Sequence, residues 1–148
     1  MKIIHKNKKA YFDYEILDEF KAGMMLLGSE IKSIRKGNVN LKGAYVSIQN
    51  SKAILKGAHI SRYAYDSSTD YEPLRDRELL LNKSELHKIE NHLNTQGITV
   101  VPLAVVLEGK YAKLMIGVAR GKKKYDKRES IKKRDTKREI DRAIKRHI

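Results

Sequence analysis

The chain has 148 residues, 32 Lys and Arg against 18 Asp and Glu, and a formal net charge of +14. That length suits one domain with room for a tail, and 41% hydrophobic residues are enough for a real core. The absence of Cys excludes a disulfide framework, a thiol nucleophile and any Cys-ligated metal, and it fits a reducing compartment. The N-terminal run Met1 to Lys9 has no apolar segment of the secretory kind. The most apolar stretch, Val100 to Leu107, contains Pro102 and is too short to span a bilayer. The expectation is a soluble, cytoplasmic, strongly basic protein. Its partner should be a polyanion, nucleic acid before an anionic membrane surface.

In chain order, Tyr11 to Phe20 predicts a first strand, because its aromatic content favours the pleated state although the alternation is imperfect. Gly23 and Gly28 bracket an apolar run. Ser29 is then placed to cap a short helix, Glu30 to Arg35, that stops at Gly37. Ile31 and Ile34 would face the core, with Glu30 and Arg35 matching the helix dipole. Ala44 to Gln49 and Ala53 to Ile60 predict a hairpin joined at Asn50-Ser51-Lys52. Ser61 to Asp76 reads as a long polar loop, and loops of that length are usually functional or mobile. Asn82-Lys83-Ser84-Glu85 is a capping box opening a helix towards Gly97, with Leu86, Ile89 and Leu93 as its apolar stripe. Ile98 to Leu107 and Ala112 to Ala119 predict a second hairpin around Glu108-Gly109-Lys110. Short strands joined by hairpins, with two helices between them, indicate an α+β, mainly β chain built as a small antiparallel barrel.

The charge is uneven. Residues 120–148 hold 14 Lys and Arg against 5 Asp and Glu, a net of +9, which leaves +5 on the preceding 119 residues. The end of the chain has too few apolar residues for a core. Residues 1–120 are therefore expected to fold as a body, with 121–148 a basic tail, disordered when free and able to become helical against an anionic surface. By charge alone, the chain could be a ribosomal or general RNA-binding protein with an anchoring tail.

Catalytic patterns are missing. The histidines do not cluster at ligand spacing, so no metal site is expected. No phosphate-binding glycine loop or nucleophile elbow occurs, no cofactor is implied, and an enzyme is the weaker class.

Four motifs in order carry a resemblance. They are Gly28-Ser29-Glu30-Ile31-Lys32-Ser33-Ile34-Arg35-Lys36-Gly37 with Asn40-Leu41 and Ala44-Tyr45, His59-Ile60-Ser61 with Tyr63, Pro73-x-Arg75-x-Arg77-x-Leu79-Leu80-Leu81, and Gly121-Lys122-Lys123-x-Tyr125-Asp126-Lys127-Arg128. Together they resemble the small protein B family, the SsrA-binding proteins, over about residues 7–139. The resemblance implies an oligonucleotide-binding-fold barrel with flanking helices and no catalysis. It implies binding to the tRNA-like domain of transfer-messenger RNA, in a complex delivered by elongation factor Tu to stalled ribosomes. There the protein stands in for an anticodon stem, and the nascent chain is tagged for proteolysis. A monomer is expected.

Family positions tied to RNA carry over to Leu80, Asn82, Lys113 and Gly121. Lys113 is expected to meet a phosphate and Asn82 to make a polar contact or cap its helix. Leu80 is expected to give structural support, and Gly121 to permit a turn or close approach. The basic motif residues Lys32, Arg35, Lys122 and Lys123 join this set. For the decoding centre and messenger channel of the small ribosomal subunit, the expected residues are Tyr125, Asp126, Lys127, Arg128, Lys132, Lys133, Arg134 and Arg138. Tyr125 is placed to stack on a base. The chain departs from the family pattern with Lys21 for Glu, Arg62 for Pro and Glu78 for Lys. Lys21 would remove any pairing made by that Glu and offer a cation to phosphate instead.

Overall fold

The computed structural model describes residues 1–65 and 70–122. Its elements are β1 (Lys2–Lys6), α1 (Lys8–Asp13), β2 (Tyr14–Met24), α2 (Gly28–Arg35), β3 (Val39–Asn40), β4 (Tyr45–Gln49), β5 (Lys52–Lys56), β6 (His59–Ile60), β7 (Arg77–Leu80), α3 (Lys83–Leu93), β8 (Ile98–Glu108) and β9 (Tyr111–Gly121). The antiparallel strands pair in the order β1-β8-β4-β5-β7-β2-β9, and β9 pairs back onto β8. That last pairing closes the sheet into a barrel. One edge of β8 carries β9, while its other edge is shared by β1 and β4. The expected antiparallel barrel is therefore present, closed so that its ring strands leave no open edge.

The barrel is filled by inward residues such as Phe20, Leu55, Leu79, Val100, Leu114 and Ile116, with Ile34 of α2 and Ile89 of α3 sealing it. Leu86 and Leu93 pack against the same core, as the helical stripe predicts. A smaller cluster of Ala10, Val101, Leu103 and Ala119 seats α1 on β8 and β9.

The first strand differs from expectation. Tyr11, Phe12 and Asp13 belong to α1, and the strand begins at Tyr14. Asn7 anchors this turn by donating its side-chain amide to the Pro102 carbonyl at 2.9 Å and its backbone N–H to Leu103 at 2.8 Å. The imperfect alternation also has a cause. A bulge between Ile16 and Asp18 inserts Leu17, so the inward face changes parity within the strand.

Helix α2 starts earlier than predicted. Leu27, not Ser29, is its cap residue, and the Glu30 carboxylate accepts the Leu27 N–H at 2.9 Å. It ends as predicted at Gly37, whose φ of +81° lets Gly37 and Asn38 donate to Ile34 and Ser33. The first hairpin turns on Asn50 and Ser51, both at positive φ (51° and 61°), as a two-residue loop matching the sheet twist requires. The predicted second strand is interrupted at Gly57, and Ile60 pairs instead with Val39 in a separate ribbon. α3 ends at Leu93, short of Gly97.

Strand β7 was hidden in the sequence. Its inward residues are Arg77 and Leu79, and a buried arginine breaks the apolar alternation by which a strand is recognised.

Candidate nucleic-acid interface

A buried ionic cluster holds the scaffold. Glu30, 1% exposed, is held through both carboxylate oxygens by Arg75 and Arg77. Arg77, fully buried, donates to Glu30 Oε2 at 2.8 and 2.6 Å and to the carbonyls of Ala58 and Pro73. The Tyr71 hydroxyl accepts from Arg77 at 3.0 Å and lies 3.1 Å from Glu30 Oε2 and 2.8 Å from the Ile60 carbonyl oxygen. Burial works to raise the Glu30 pKa, but hydrogen bonds from Arg75, the Leu27 N–H and Arg77 outweigh it, and the net shift is downwards. Burial and the Glu30 charge push Tyr71 up to about 12. Glu30 is thus a structural counterion more than a partner of the helix dipole. It joins α2, β6, β7 and the segment before β7. The second half of the predicted loop is fastened by this cluster.

On the outer face of the barrel, Leu80, Gly23 and Lys113 form a row across β7, β2 and β9, because Gly23 pairs with both of the others. A Cβ at Gly23 would stand 3.3 Å from Leu80 Cβ and 3.7 Å from Lys113 Nζ. Glycine therefore leaves a shallow gap beside the ammonium. Leu80 is 54% exposed, so its side chain stands on the surface of the barrel. Lys113 Nζ lies 5.8 Å from the Tyr111 ring centroid. Beside the row, Lys21 pairs with Glu108 at 2.5 Å. That hydrogen bond is the main cause of the lowered Glu108 pKa. Asn82 lies two residues beyond Leu80 and serves as the α3 cap. Its side-chain oxygen accepts from the Glu85 N–H at 2.8 Å and the Ser84 hydroxyl at 2.7 Å.

The other predicted RNA-facing residues lie elsewhere. Arg35 donates to the Lys110 carbonyl at 3.3 Å, tying the end of α2 to the β8–β9 turn. Lys32 projects from α2 towards Tyr63. Gly121 is the last residue of β9, about 26 Å along the strand from Lys113. It pairs with Tyr14 and makes no turn, and a Cβ there would meet nothing within 4 Å. Lys122 donates its N–H to the Asp13 carbonyl and its ammonium to the Tyr11 carbonyl, which fastens the end of β9 to α1. Lys123, Tyr125, Asp126, Lys127, Arg128, Lys132, Lys133, Arg134 and Arg138 lie outside the described residues.

Sequence reasoning missed Gly23 as part of the row, the Tyr111 ring and the Lys21–Glu108 pair. It also missed Lys36 and Tyr65, which join Lys32 and Tyr63. Only the Lys32/Lys36 helical spacing was a usable signal. Among the described residues, no group of His, Asp and Glu is arranged to hold a metal, and no helix is long and apolar enough to cross a membrane.

The family model described as SmpB protein matches residues 4–146. The chain belongs to the SmpB family. It is 48% identical over 144 residues to the SsrA-binding protein of Enterococcus hirae, covering 97% of this chain and 94% of that one. It is 47% identical to the SsrA-binding protein of Gloeobacter violaceus over 145 residues, covering 98% and 95%. A solved structure described as "tmRNA-SmpB: a journey to the center of the bacterial ribosome" contains a similar chain. Its TM-score is 0.68 at 35% identity, covering 86% of this chain and 93% of that one.

Two departures from the SmpB pattern noted in the sequence now have local partners. Lys21 is matched by Glu108, and Glu78 faces Lys52 at 3.7 Å across β7 and β5. Each substituted charge meets an opposite charge in the fold.

Proposed function

We propose that the protein binds the tRNA-like domain of transfer-messenger RNA and acts as the adaptor of trans-translation, rescuing stalled ribosomes so that the nascent chain is tagged for degradation. The observation that carries this reading is the SmpB match from residue 4 to 146, which spans both the barrel and the basic tail. The similar solved chain comes from tmRNA-SmpB work on the bacterial ribosome.

In this reading the row of Leu80, Gly23 and Lys113 faces the RNA. The Lys113 ammonium meets a phosphate, the gap over Gly23 admits the backbone closely, and Leu80 covers apolar sugar or base surface. Asn82 contributes through the edge of the helix it caps. The tail beyond Lys123 acts on the small ribosomal subunit, while Gly121, Lys122 and Lys123 belong with the RNA-binding residues of the body. Tyr125, Asp126, Lys127 and Arg128 probe the decoding centre, and Lys132, Lys133, Arg134 and Arg138 follow the empty messenger channel. The barrel takes the place of an anticodon stem, elongation factor Tu accompanies the charged RNA, and the protein works in the cytoplasm as a monomer without catalysis.

Sequencing the RNA that co-purifies with the full chain tests this. One dominant RNA with a tRNA-like end is expected. The net charge of +14 supports a second reading, a general RNA binder. That reading predicts a broad RNA mixture and no preference for the tRNA-like domain at about 150 mM salt, where exposed charges are screened beyond ~8 Å. Deleting residues 126–148 should leave transfer-messenger RNA binding intact and abolish tagging.

A further inference from the structure

The exposed side of α2 carries a second cationic surface, apart from the Lys113 row. Lys32 and Lys36 stand one helical turn apart. Their ammonium groups lie 5.4 and 5.3 Å from the Tyr63 ring centroid, and that of Lys36 lies 5.4 Å from the Tyr65 ring centroid. The two rings meet edge to face with centroids 5.4 Å apart. Tyr65 is 79% exposed. Among the described residues no carboxylate pairs with Lys32 or Lys36.

The segment leading into this cluster is fastened to α2. Ser33 of α2 donates its hydroxyl to the Ser61 carbonyl at 2.7 Å, and the Ser61 N–H donates to Asn38 at 3.0 Å. Beneath them, Glu30 locks α2 to Arg77. An aromatic ring left in water beside the Lys36 ammonium, with Lys32 over its neighbouring ring and, among the described residues, no carboxylate pairing with either lysine, has a use in single-stranded nucleic acid recognition. Every base offers a face to stack, and the adjoining phosphates seek cations. An acidic peptide would engage the lysines and leave the exposed ring without a partner.

We propose that Tyr63, Tyr65, Lys32 and Lys36 form a platform for an unpaired RNA nucleobase, which stacks on Tyr65 while Lys32 and Lys36 take the flanking phosphates. The proposal rests on the RNA-adaptor reading and adds to it a second contact. The base could belong to transfer-messenger RNA or to the small ribosomal subunit, and the experiment separates these sources.

The chain has no Trp, so Tyr65→Trp in the full-length protein introduces a lone indole reporter. It is titrated separately with a transcript of the tRNA-like domain and with purified small ribosomal subunits. Quenching of the indole by one of the two is expected, and the quenching partner is the source of the base. Tyr65→Ala should weaken binding to that partner about 5- to 150-fold, the range set by losing one base–aromatic stack. Tyr65→Phe, which keeps the ring, should bind as the parent does. Because Tyr65 is exposed, these variants should fold normally. Unchanged emission with both partners, with Tyr65→Ala binding both like the parent, would overturn the platform. The adaptor reading would survive that result if Lys113→Ala still lost the tRNA-like domain. Equal losses in Tyr65→Phe and Tyr65→Ala would also overturn the platform, since the ring would not be the contact. If the parent bound neither RNA, the adaptor reading and the platform would fall together.

Discussion

Two carboxylates of this molecule meet cations in opposite settings. Glu30 is buried between Arg75 and Arg77, whereas Glu108 meets Lys21 on the surface. In the first setting Glu30 and Arg77 are cut off from solvent, so the carboxylate needs donors and the guanidinium needs acceptors within the protein, and the cluster supplies the Tyr71 hydroxyl and the Ala58 and Pro73 carbonyls. It thereby fastens segments distant in sequence. In the second setting water screens both charges, and the pair adds little to stability. Its consequence is electrostatic, because it neutralises a lysine beside Lys113 on the face proposed to meet RNA. The same chemistry builds the scaffold in one place and tunes a binding surface in the other.

The most severe way to break this contrast is Glu30→Gln. Removing the charge leaves Arg77 buried and uncompensated, and urea unfolding at neutral pH should show a loss of about 3–5 kcal/mol. The loss should depend on pH. The native Glu30 carboxyl has a pKa below its usual 4.5, so the unfolded chain binds more protons between those two values. Its stabilisation is complete above that window and is lost as pH falls through it. The gap in stability between parent and Glu30→Gln should therefore narrow on acidification below about pH 4.5. A constant gap would show that Glu30 acts through shape alone.

Tyr71→Phe sharpens the picture at smaller scale. It removes one hydroxyl from the buried cluster and keeps both charges, so a loss of about 1–3 kcal/mol is expected in the same unfolding assay. On the outer face, Lys113→Ala should leave unfolding unchanged and weaken binding to the tRNA-like domain. The slope of log K against log salt should fall in magnitude by about 0.7–0.9 if one phosphate contact is lost. Glu108→Gln should be the mildest change. Unfolding should not move, and RNA binding should tighten slightly with a steeper salt dependence, because Lys21 is released. A large fall in stability for Glu108→Gln would erase the distinction between the two settings.

Much of the barrel was legible because its signals are local. The Asn50-Ser51 turn, the Asn82 capping box, the Gly37 stop and the β8–β9 hairpin depend on residues close in sequence, and each lies where those residues place it. The misread segments depend on distant partners. Tyr11 to Asp13 are helical where a strand was expected because Asn7 is held by Pro102 and Leu103. β7 looked polar because its inward Arg77 is neutralised by Glu30 on another element. The candidate interface divides in the same way. Lys32, Arg35, Leu80, Asn82, Lys113, Gly121 and Lys122 were legible from motifs, but their distribution over separate surfaces was not. Gly23 and Tyr65 gained their places only from the neighbours that folding gave them.

The sequence by itself determined a basic, Cys-free chain with a barrel-forming body, a charge-dense end and the motifs of the SmpB family. Those properties follow from composition and short-range pattern, which exist before folding. Only the tertiary structure decided which charges are cancelled and which remain available. Glu30 silences the buried Arg77 and the half-buried Arg75, Glu108 restrains Lys21 at the surface, and among the described residues Lys32 and Lys36 meet aromatic rings instead of carboxylates. A net charge of +14 states the strength of the attraction to a polyanion. Coulombic attraction falls with distance and depends on burial, so the surfaces that exert it are set by how the chain brings its charges together.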